Sequence, residues 1–338
     1  MSKMSSMTKN LSISFILLQC WFCLRPHQWT KNLIVFAAPL FALSINWTSL
    51  RSASLGFFLF CCLSSSFYLI NDIADVESDR HHPVKCKRPI AAGLVPISIA
   101  LQMAGLLLTV SLVGGWMISP ALGQILLAYV LLQTGYNLKW KRIAILELMT
   151  IAAGFVLRAC AGAIATELKI SPWFLLCTGM LALFLAVEKR KAELILALMG
   201  KTKPRSVLQN YSLPLLTRIE ITVSTGTVIS YALWSAGPVV NGASTSWMML
   251  TVPFVLYGIF RYQLLSELDE INRGNDGKIA ADSQTERPDQ VLLTDKPIIF
   301  TLVGYIVVSL LILYLKHNNI ISKNIFLEEI IGVIRLSW

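Results

Sequence analysis

In NDIADVESDRHHPVKCKRPIAAG, residues 71–93, four carboxylates are followed closely by two histidines and four cations. Asp72, Asp75 and Asp79 stand at relative positions 0, 3 and 7. On a helix, residues three, four and seven apart share one face. The spacing therefore lines up the three aspartates, with Asn71 on their flank. Carboxylates held that close repel each other unless a cation binds among them. Oxygen-only ligands suit a hard ion, Mg²⁺ before Ca²⁺ or zinc, and Mg²⁺ commonly keeps water and substrate phosphates in its shell. Arg80, Lys85, Lys87 and Arg88 follow, and such cations hold phosphate oxygens directly. The pattern predicts a Mg²⁺–diphosphate site. Asp72, Asp75 and Asp79 are its expected catalytic metal ligands, and Asn71, Arg80, Lys85 and Arg88 its substrate contacts. The competing reading is a wetted run of juxtamembrane charge, against which stand the helical register and the helix-end position. His81 and His82 are adjacent, so they point different ways on a helix; they fit surface or outer phosphate contacts better than catalysis.

These residues must be positioned by membrane helices. The 338-residue chain is 55% hydrophobic and only 14% charged, with a mean hydropathy of +0.64, which excludes a soluble globular domain. Apolar windows of about 20 residues, enough to cross a bilayer as a helix, fall near 29–46, 53–71, 98–116, 121–137, 145–165, 172–188, 220–236, 246–262 and 297–315. The expectation is an all-α, polytopic membrane protein with nine transmembrane helices. Residues 1–28 form a cytoplasmic or interfacial segment, 29–316 one membrane domain, and 317–338 an extracytoplasmic tail.

The net charge of +10 could suggest nucleic acid, but its distribution points to a membrane. With the N-terminus inside, 23 of the 29 lysines and arginines fall on one side of the nine windows. Positive residues accumulate on the cytoplasmic face, so the N-terminus is expected in and the C-terminus out. The longer inner connections, 72–97, 189–219 and 263–296, carry most of the charge and place function at that face. The first 24 residues have a weakly basic start and a short apolar core; an interfacial helix fits them better than a secretory signal. None of the seven cysteines suggests an extracytoplasmic disulfide or a zinc spacing. A short apolar patch at 325–336 reads as an outer-surface helix.

NDIADVESD resembles the N-D-x-x-D-x-x-x-D signature of the UbiA superfamily of intramembrane prenyltransferases. RPHQWTKN (25–32), DRHHPVKCKRPIAAG (79–93), GFVLRACAGAIA (154–165), FLAVEKRKAEL (184–194) and LLTDKP (292–297) are similar to one branch, the bacterial decaprenyl-phosphate phosphoribosyltransferases. Together they run from the first helix to the ninth. The resemblance implies nine helices around a cytoplasm-facing cavity in the bacterial inner membrane. It also implies Mg²⁺-dependent transfer of 5-phosphoribosyl from 5-phosphoribosyl 1-diphosphate to a polyprenyl phosphate, releasing diphosphate. The partners are then those two substrates and membrane lipids, with no nucleic acid; a homo-oligomer stays open.

A prenyl-transferring relative is expected to carry a second Asp-rich motif after the sixth helix. This chain has EKRKAEL there: Glu188, Lys189, Arg190, Lys191 and Glu193. Cations in place of carboxylates favour direct contact with an anion that has no metal of its own, such as a sugar 5-phosphate, for which Lys189 and Arg190 are candidates beside Glu193. A positive-inside cluster without a ligand is the alternative. Glu147, Ile151, Gly154 and Arg158 form one helical stripe. An arginine at mid-membrane usually faces a cavity or a partner, here a phosphate or Glu147; an internal ion pair alone would also satisfy it. The resemblance leads one to expect Asp rather than Glu at 147. Tyr136 and Lys139 resemble a family position for phosphate contact. Lys31 with Gln28 is a candidate for the lipid phosphate, beside Trp29 at headgroup level, or a plain interfacial anchor. Two other functions compete: prenyl transfer from a polyprenyl diphosphate to an aromatic or lipid acceptor, and non-enzymatic transport of ions or solutes. Transport predicts acids deep in several helices, whereas Arg158 is the only charge placed deep.

Overall fold

The computed structural model describes residues 13–42, 46–81, 84–199, 206–275, 291 and 294–321. His82, the polar stretch 276–290 and the apolar patch 325–336 lie outside them. No strand occurs among the described residues. The elements are α1 (Ile13–Cys23), a 3₁₀ helix (Pro26–Phe36) running into α2 (Ala37–Phe41), α3 (Trp47–Ala74), α4 (Val76–Arg80), α5 (Ile97–Ile118), α6 (Pro120–Leu138), α7 (Leu146–Ala165), α8 (Pro172–Leu198), α9 (Leu213–Ser235), α10 (Val252–Asn275) and α11 (Lys296–His317).

Among the described residues the nine apolar windows fall largely on helical backbone, the one at 29–46 reaching into residues 43–45, which lie outside them. Among the described residues six helices are long and apolar enough to cross a membrane: Trp47–Ala74, Ile97–Ile118, Leu146–Ala165, Pro172–Leu198, Ser246–Glu267 and Lys296–His317. The chain is an integral membrane protein. α6 and α9 fall outside the six because polar residues interrupt them, Gln124, Gln133 and Asn137 in one, Arg218 and Glu220 in the other. The window at 29–46 departs furthest from expectation, being a 3₁₀ helix followed by one short α-turn. Pro39 is one cause: it has no N–H to offer the carbonyl of Val35, four residues earlier. That carbonyl meets α7 instead, so closely that a Cβ on Gly162 would lie 2.0 Å from its oxygen. Only glycine fits there.

α8 also differs. It was expected to end near residue 188 and continues to Leu198. EKRKAEL is therefore helix rather than loop, with Glu188, Arg190, Lys191 and Glu193 buried.

The chain divides into two compact units. The first comprises residues 1–39, 45–137 and 157–168, and the second 40–44, 138–156 and 169–338, so α7 contributes to both. In the first unit, Phe60, Leu63, Leu122, Leu126 and Tyr129 form the main apolar core. Small hydroxyls bring α3 and α5 together: Ser66 donates to the Ala104 carbonyl at 2.8 Å and Ser111 to that of Leu59 at 2.9 Å. Such residues allow close backbone approach where lipid offers no hydrophobic drive. A second apolar cluster joins Cys23, Leu69, Val76, Ile90 and Val95, and it sets the geometry of the charged groups nearby.

In the second unit, α8, α9 and α10 pack through Phe184, Val223, Ile259 and Tyr262. Phe41, Phe174, Tyr231, Trp234 and Tyr305 make an aromatic cluster. α11 begins at a side-chain cap, where Asp295 accepts from the Ile298 N–H at 3.0 Å, with Pro297 in the first turn. Both features favour helix initiation.

Candidate active site

The aspartate segment begins as the last turn of α3. At Asp75 the backbone leaves helical values (φ −95°, ψ 7°) and restarts as α4. Helical hydrogen bonds persist across the bend, Asp75 N–H to the Asn71 carbonyl at 2.9 Å and Asp79 N–H to that of Asp75 at 2.8 Å. Asp72 and Asp79 are only 4% and 2% exposed. Asp75 is half-buried and, among the described residues, stands outside the ion-paired group. The expected single face of three carboxylates becomes an inward pair with a third at its edge.

Three cations converge on that pair. Arg88 Nη1 donates to Asp72 Oδ1 at 3.0 Å and to Asp79 Oδ2 at 2.7 Å. Arg25 Nη2 donates to the same Asp72 Oδ1 at 2.5 Å, and Lys85 Nζ lies 3.9 Å from Asp79 Oδ1. Three positive charges against two negative ones leave an excess that suits an anion. Arg80, an expected substrate contact, lies on Glu77 at 2.9 Å on the exposed side. His81 Nδ1 lies 2.9 Å from the Glu77 carbonyl, on the exposed surface.

The apolar cluster explains the convergence. Cys23, buried at the end of α1, precedes Arg25 by two residues, and Leu69 and Val76 flank Asp72 on the chain. Ile90, 1% exposed, anchors the turn that carries Arg88. That turn closes through Ala92 N–H to the Arg88 carbonyl at 2.8 Å and ends at Gly93, whose φ of +74° favours glycine. Buried apolar neighbours thus bring three segments distant in sequence to one carboxylate pair.

Divalent-ion fit can be judged from Arg88. One guanidinium nitrogen within 3.0 Å of oxygens from both aspartates shows that the two carboxylates reach a single cationic point. Both donors are hard oxygens, as Mg²⁺ requires. Among the described residues no group of three or more His, Cys, Asp or Glu side chains gathers to hold an ion. The pair would therefore supply part of a coordination shell and leave the rest to water and substrate phosphate, which is the usual habit of Mg²⁺.

Elsewhere in the first unit, Arg158 donates from Nε to Asn32 Oδ1 and from Nη2 to the Tyr129 hydroxyl, each at 2.7 Å. Its guanidinium also lies 4.9 Å from the Tyr129 ring centroid. Of its two expected partners, a phosphate or Glu147, the latter is bound by Arg190. Lys31 Nζ donates to Gln28 Oε1 at 2.5 Å. Trp29, expected at headgroup level, donates to Ser65 Oγ at 3.0 Å.

In the second unit, α8 carries a buried ionic network. Arg190, 2% exposed, bonds Glu147 Oε1 at 2.8 Å and Glu193 Oε2 at 2.5 Å. Lys191 reaches Glu220 at 3.2 Å, and Gln263 donates to the same carboxylate at 3.0 Å. Arg190 and Glu193, expected as substrate contacts, are thus engaged in holding helices; the side chain of Glu147 spans from α7 to the guanidinium. Lys189 is half-buried, and Lys139 is exposed at the turn after α6. Tyr211 braces the start of α7 by accepting the Ile145 N–H at 2.7 Å. Burial pushes its hydroxyl pKa up. Glu188 is fully buried, and among the described residues neither carboxylate oxygen meets a partner in hydrogen-bond geometry.

Sequence reasoning missed Arg25, Asn32 and Glu220. Arg25 opens RPHQWTKN, six residues before Lys31. Asn32 closes the same stretch. Glu220 is a lone acid in an apolar helix, a signal of an interior partner.

Residues 32–276 match the model of the UbiA prenyltransferase family. The decaprenyl-phosphate phosphoribosyltransferase of Mycolicibacterium smegmatis is 36% identical over 285 residues, 80% of this chain and 85% of that protein. The decaprenyl-phosphate phosphoribosyltransferase of Mycobacterium tuberculosis H37Rv is 38% identical over 245 residues, 71% of this chain and 80% of its own length. A UbiA homolog from Archaeoglobus fulgidus, solved bound to DMAPP and Mg²⁺, shares the fold with a TM-score of 0.62 at 18% identity, covering 85% of this chain and 96% of that one. On the family match and these identities, the chain belongs to the UbiA prenyltransferase family.

Proposed function

We propose that this protein is a polyprenyl-phosphate phosphoribosyltransferase. It moves the 5-phosphoribosyl group of 5-phosphoribosyl 1-diphosphate onto a polyprenyl phosphate and releases diphosphate. Identity of 36% and 38% to two decaprenyl-phosphate phosphoribosyltransferases, over 80% and 71% of the chain, supports the substrate class. The observation that carries the chemistry is the meeting of Asp72 and Asp79 at one nitrogen of Arg88, with Arg25 and Lys85 beside them.

In this reading Asp72 and Asp79, with Asp75 and Asn71 at their edge, would hold Mg²⁺. Mg²⁺ supplies neutralisation of the charge that develops on the departing diphosphate. Arg25, Lys85 and Arg88 bind its oxygens. The bond between ribose C1 and the diphosphate oxygen breaks, and the electron pair leaves with diphosphate. A phosphate oxygen of the lipid forms the new bond to C1. That oxygen is already ionised near neutral pH, so no strong general base is required, and positioning supplies much of the rate. Lys189 and Lys139 are assigned to phosphate oxygens by charge, and Lys31 with Gln28 to the lipid phosphate. Arg158 is assigned to an anion by its charge and burial. Arg190 and Glu193 act by bracing α8 rather than by contact.

The charge asymmetry supports an N-terminus on the cytoplasmic side; the bacterial relatives support a bacterial plasma membrane, and residues 29–316 are assigned as the membrane domain. Prenyl transfer is the second reading, since the fold is shared with a homolog bound to DMAPP and Mg²⁺. Against it, α8 offers no aspartate, and Glu193 is bound to Arg190. The test supplies the purified protein with radiolabelled 5-phosphoribosyl 1-diphosphate, Mg²⁺ and a polyprenyl phosphate. Lipid-extractable label is expected. No such label, together with turnover of a prenyl diphosphate and an aromatic acceptor, would reverse the order of the two readings.

A further inference from the structure

We infer that Arg25 is an exchangeable counter-ion: at rest it neutralises Asp72, and on substrate binding it gives up the carboxylate to the divalent ion and takes the diphosphate. The inference rests on the proposed reading of the Asp72–Asp79 pair as a metal–diphosphate site. It adds that metal and diphosphate bind as an interdependent pair, each more weakly alone.

Four observations carry it. First, Asp72 Oδ1 accepts from two guanidinium groups at once, Arg25 at 2.5 Å and Arg88 at 3.0 Å. Any cation approaching that oxygen competes with groups already in place. Second, Arg25 has somewhere else to be. Its guanidinium lies 5.1 Å over the ring of Tyr68, one helical turn before Asp72. A cation–π contact of that kind can retain the group locally after the ion pair opens. Third, the backbone of Arg25 is pinned. Its φ of +54° follows the end of α1, and Cys23, two residues earlier, is only 2% exposed. The side chain can therefore change partners without the segment moving. Fourth, the Arg25 side chain is 24% exposed while that of Asp72 is 5% exposed. The guanidinium stands on the solvent side of the carboxylate, where an incoming anion would arrive.

Charge also favours the joint arrival of metal and anion. At rest, Arg25 and Arg88 share the negative charge of Asp72 and Asp79. With a divalent ion on the carboxylates, the displaced arginine would add to an already cationic site unless an anion came with it. Diphosphate meets that need, since guanidinium pairs bidentately with phosphate. A permanent strap between Arg25 and α3 would show neither dependence.

The experiment measures binding to the intact, detergent-solubilised protein with two probes, Mn²⁺ alone by the loss of its free EPR signal, and inorganic diphosphate at saturating Mn²⁺ by calorimetry. Wild type is compared with Arg25→Gln and Arg25→Lys. Removing the competing charge in Arg25→Gln is expected to tighten Mn²⁺ alone by about tenfold, the scale of one charge-assisted hydrogen bond. The same variant is expected to weaken diphosphate by a similar factor. Arg25→Lys keeps the charge and the fold and is expected to show the same two shifts, each smaller. Opposite signs for the two probes are the signature of exchange. Unchanged or weakened Mn²⁺ binding in both variants would make Arg25 a structural strap and overturn the inference. Wild-type protein that binds neither Mn²⁺ nor its diphosphate complex would overturn the metal–diphosphate reading itself, and the exchange with it.

Discussion

Arg190 on α8 reaches Glu147 in the first turn of α7 with Nε 2.8 Å from Oε1, and the two side chains are 2% and 1% exposed. Breaking a buried pair costs about 3–5 kcal/mol when the remaining charge is left unpaired; Arg190 keeps Glu193, so the loss here falls below that range. Glu147→Ala is therefore expected to lower the thermal midpoint of the solubilised protein. Glu147→Asp keeps the charge but shortens the reach, and is expected to lose less. Equal midpoints for wild type and Glu147→Ala would show that the pair does not brace α7 against α8.

Asp72 and Asp79 are held at one cationic point, while Asp75 sits at their edge. Asp72→Asn and Asp79→Asn are each expected to cut transfer by at least about a hundredfold, on the scale of losing charge stabilisation of a leaving group. Asp75→Asn is expected to lose less and to shift the Mg²⁺ requirement upward. Initial rates of lipid labelling across a Mg²⁺ series separate the cases. If Asp75→Asn were as damaging as the other two, all three carboxylates would act on the ion together.

Part of this arrangement is legible in the chain. Helix positions follow from apolar windows because bilayer thickness fixes their length. The acidic signature reveals itself by register. Arg25 does not, since its meeting with Asp72 spans 47 residues and depends on Cys23 and Ile90 sharing one apolar cluster. Charge spacing carries no sign of such burial. The continuation of α8 past Glu188 was obscured for a related reason: charged residues read as a wetted loop until Arg190 and Lys191 are seen paired with Glu147 and Glu220.

Among the described residues, neither buried carboxylate oxygen of Glu188 meets a partner in hydrogen-bond geometry. Nearby on the same helix, Lys191 is already bound to Glu220. A buried carboxylate of that kind is a liability to stability. Glu188→Gln keeps the shape and removes the negative charge, so it is expected to leave the thermal midpoint unchanged or raised. A fall of several degrees would mean that the charge of Glu188 is used by a partner within the bundle.

Asp295 combines two tasks, capping α11 through the Ile298 N–H and binding Arg261 at 2.9 Å. The hydrogen bond from Arg261 holds its carboxyl below the usual carboxylate range. A pKa lower in the folded than in the unfolded state adds stability above the unfolded value, about 3.9 for Asp, and loses it as pH falls through the folded value. The contribution is therefore complete at neutral pH and fades only below roughly pH 4. Asp295→Asn retains a good cap while losing the ion pair, so its thermal midpoint is expected to fall at pH 7 and to converge with wild type in acid. Asp295→Ala also loses the cap, about 1 kcal/mol more, and this second loss is expected to persist in acid. Parallel pH profiles for wild type and Asp295→Asn would separate Asp295 from the acid sensitivity of the fold.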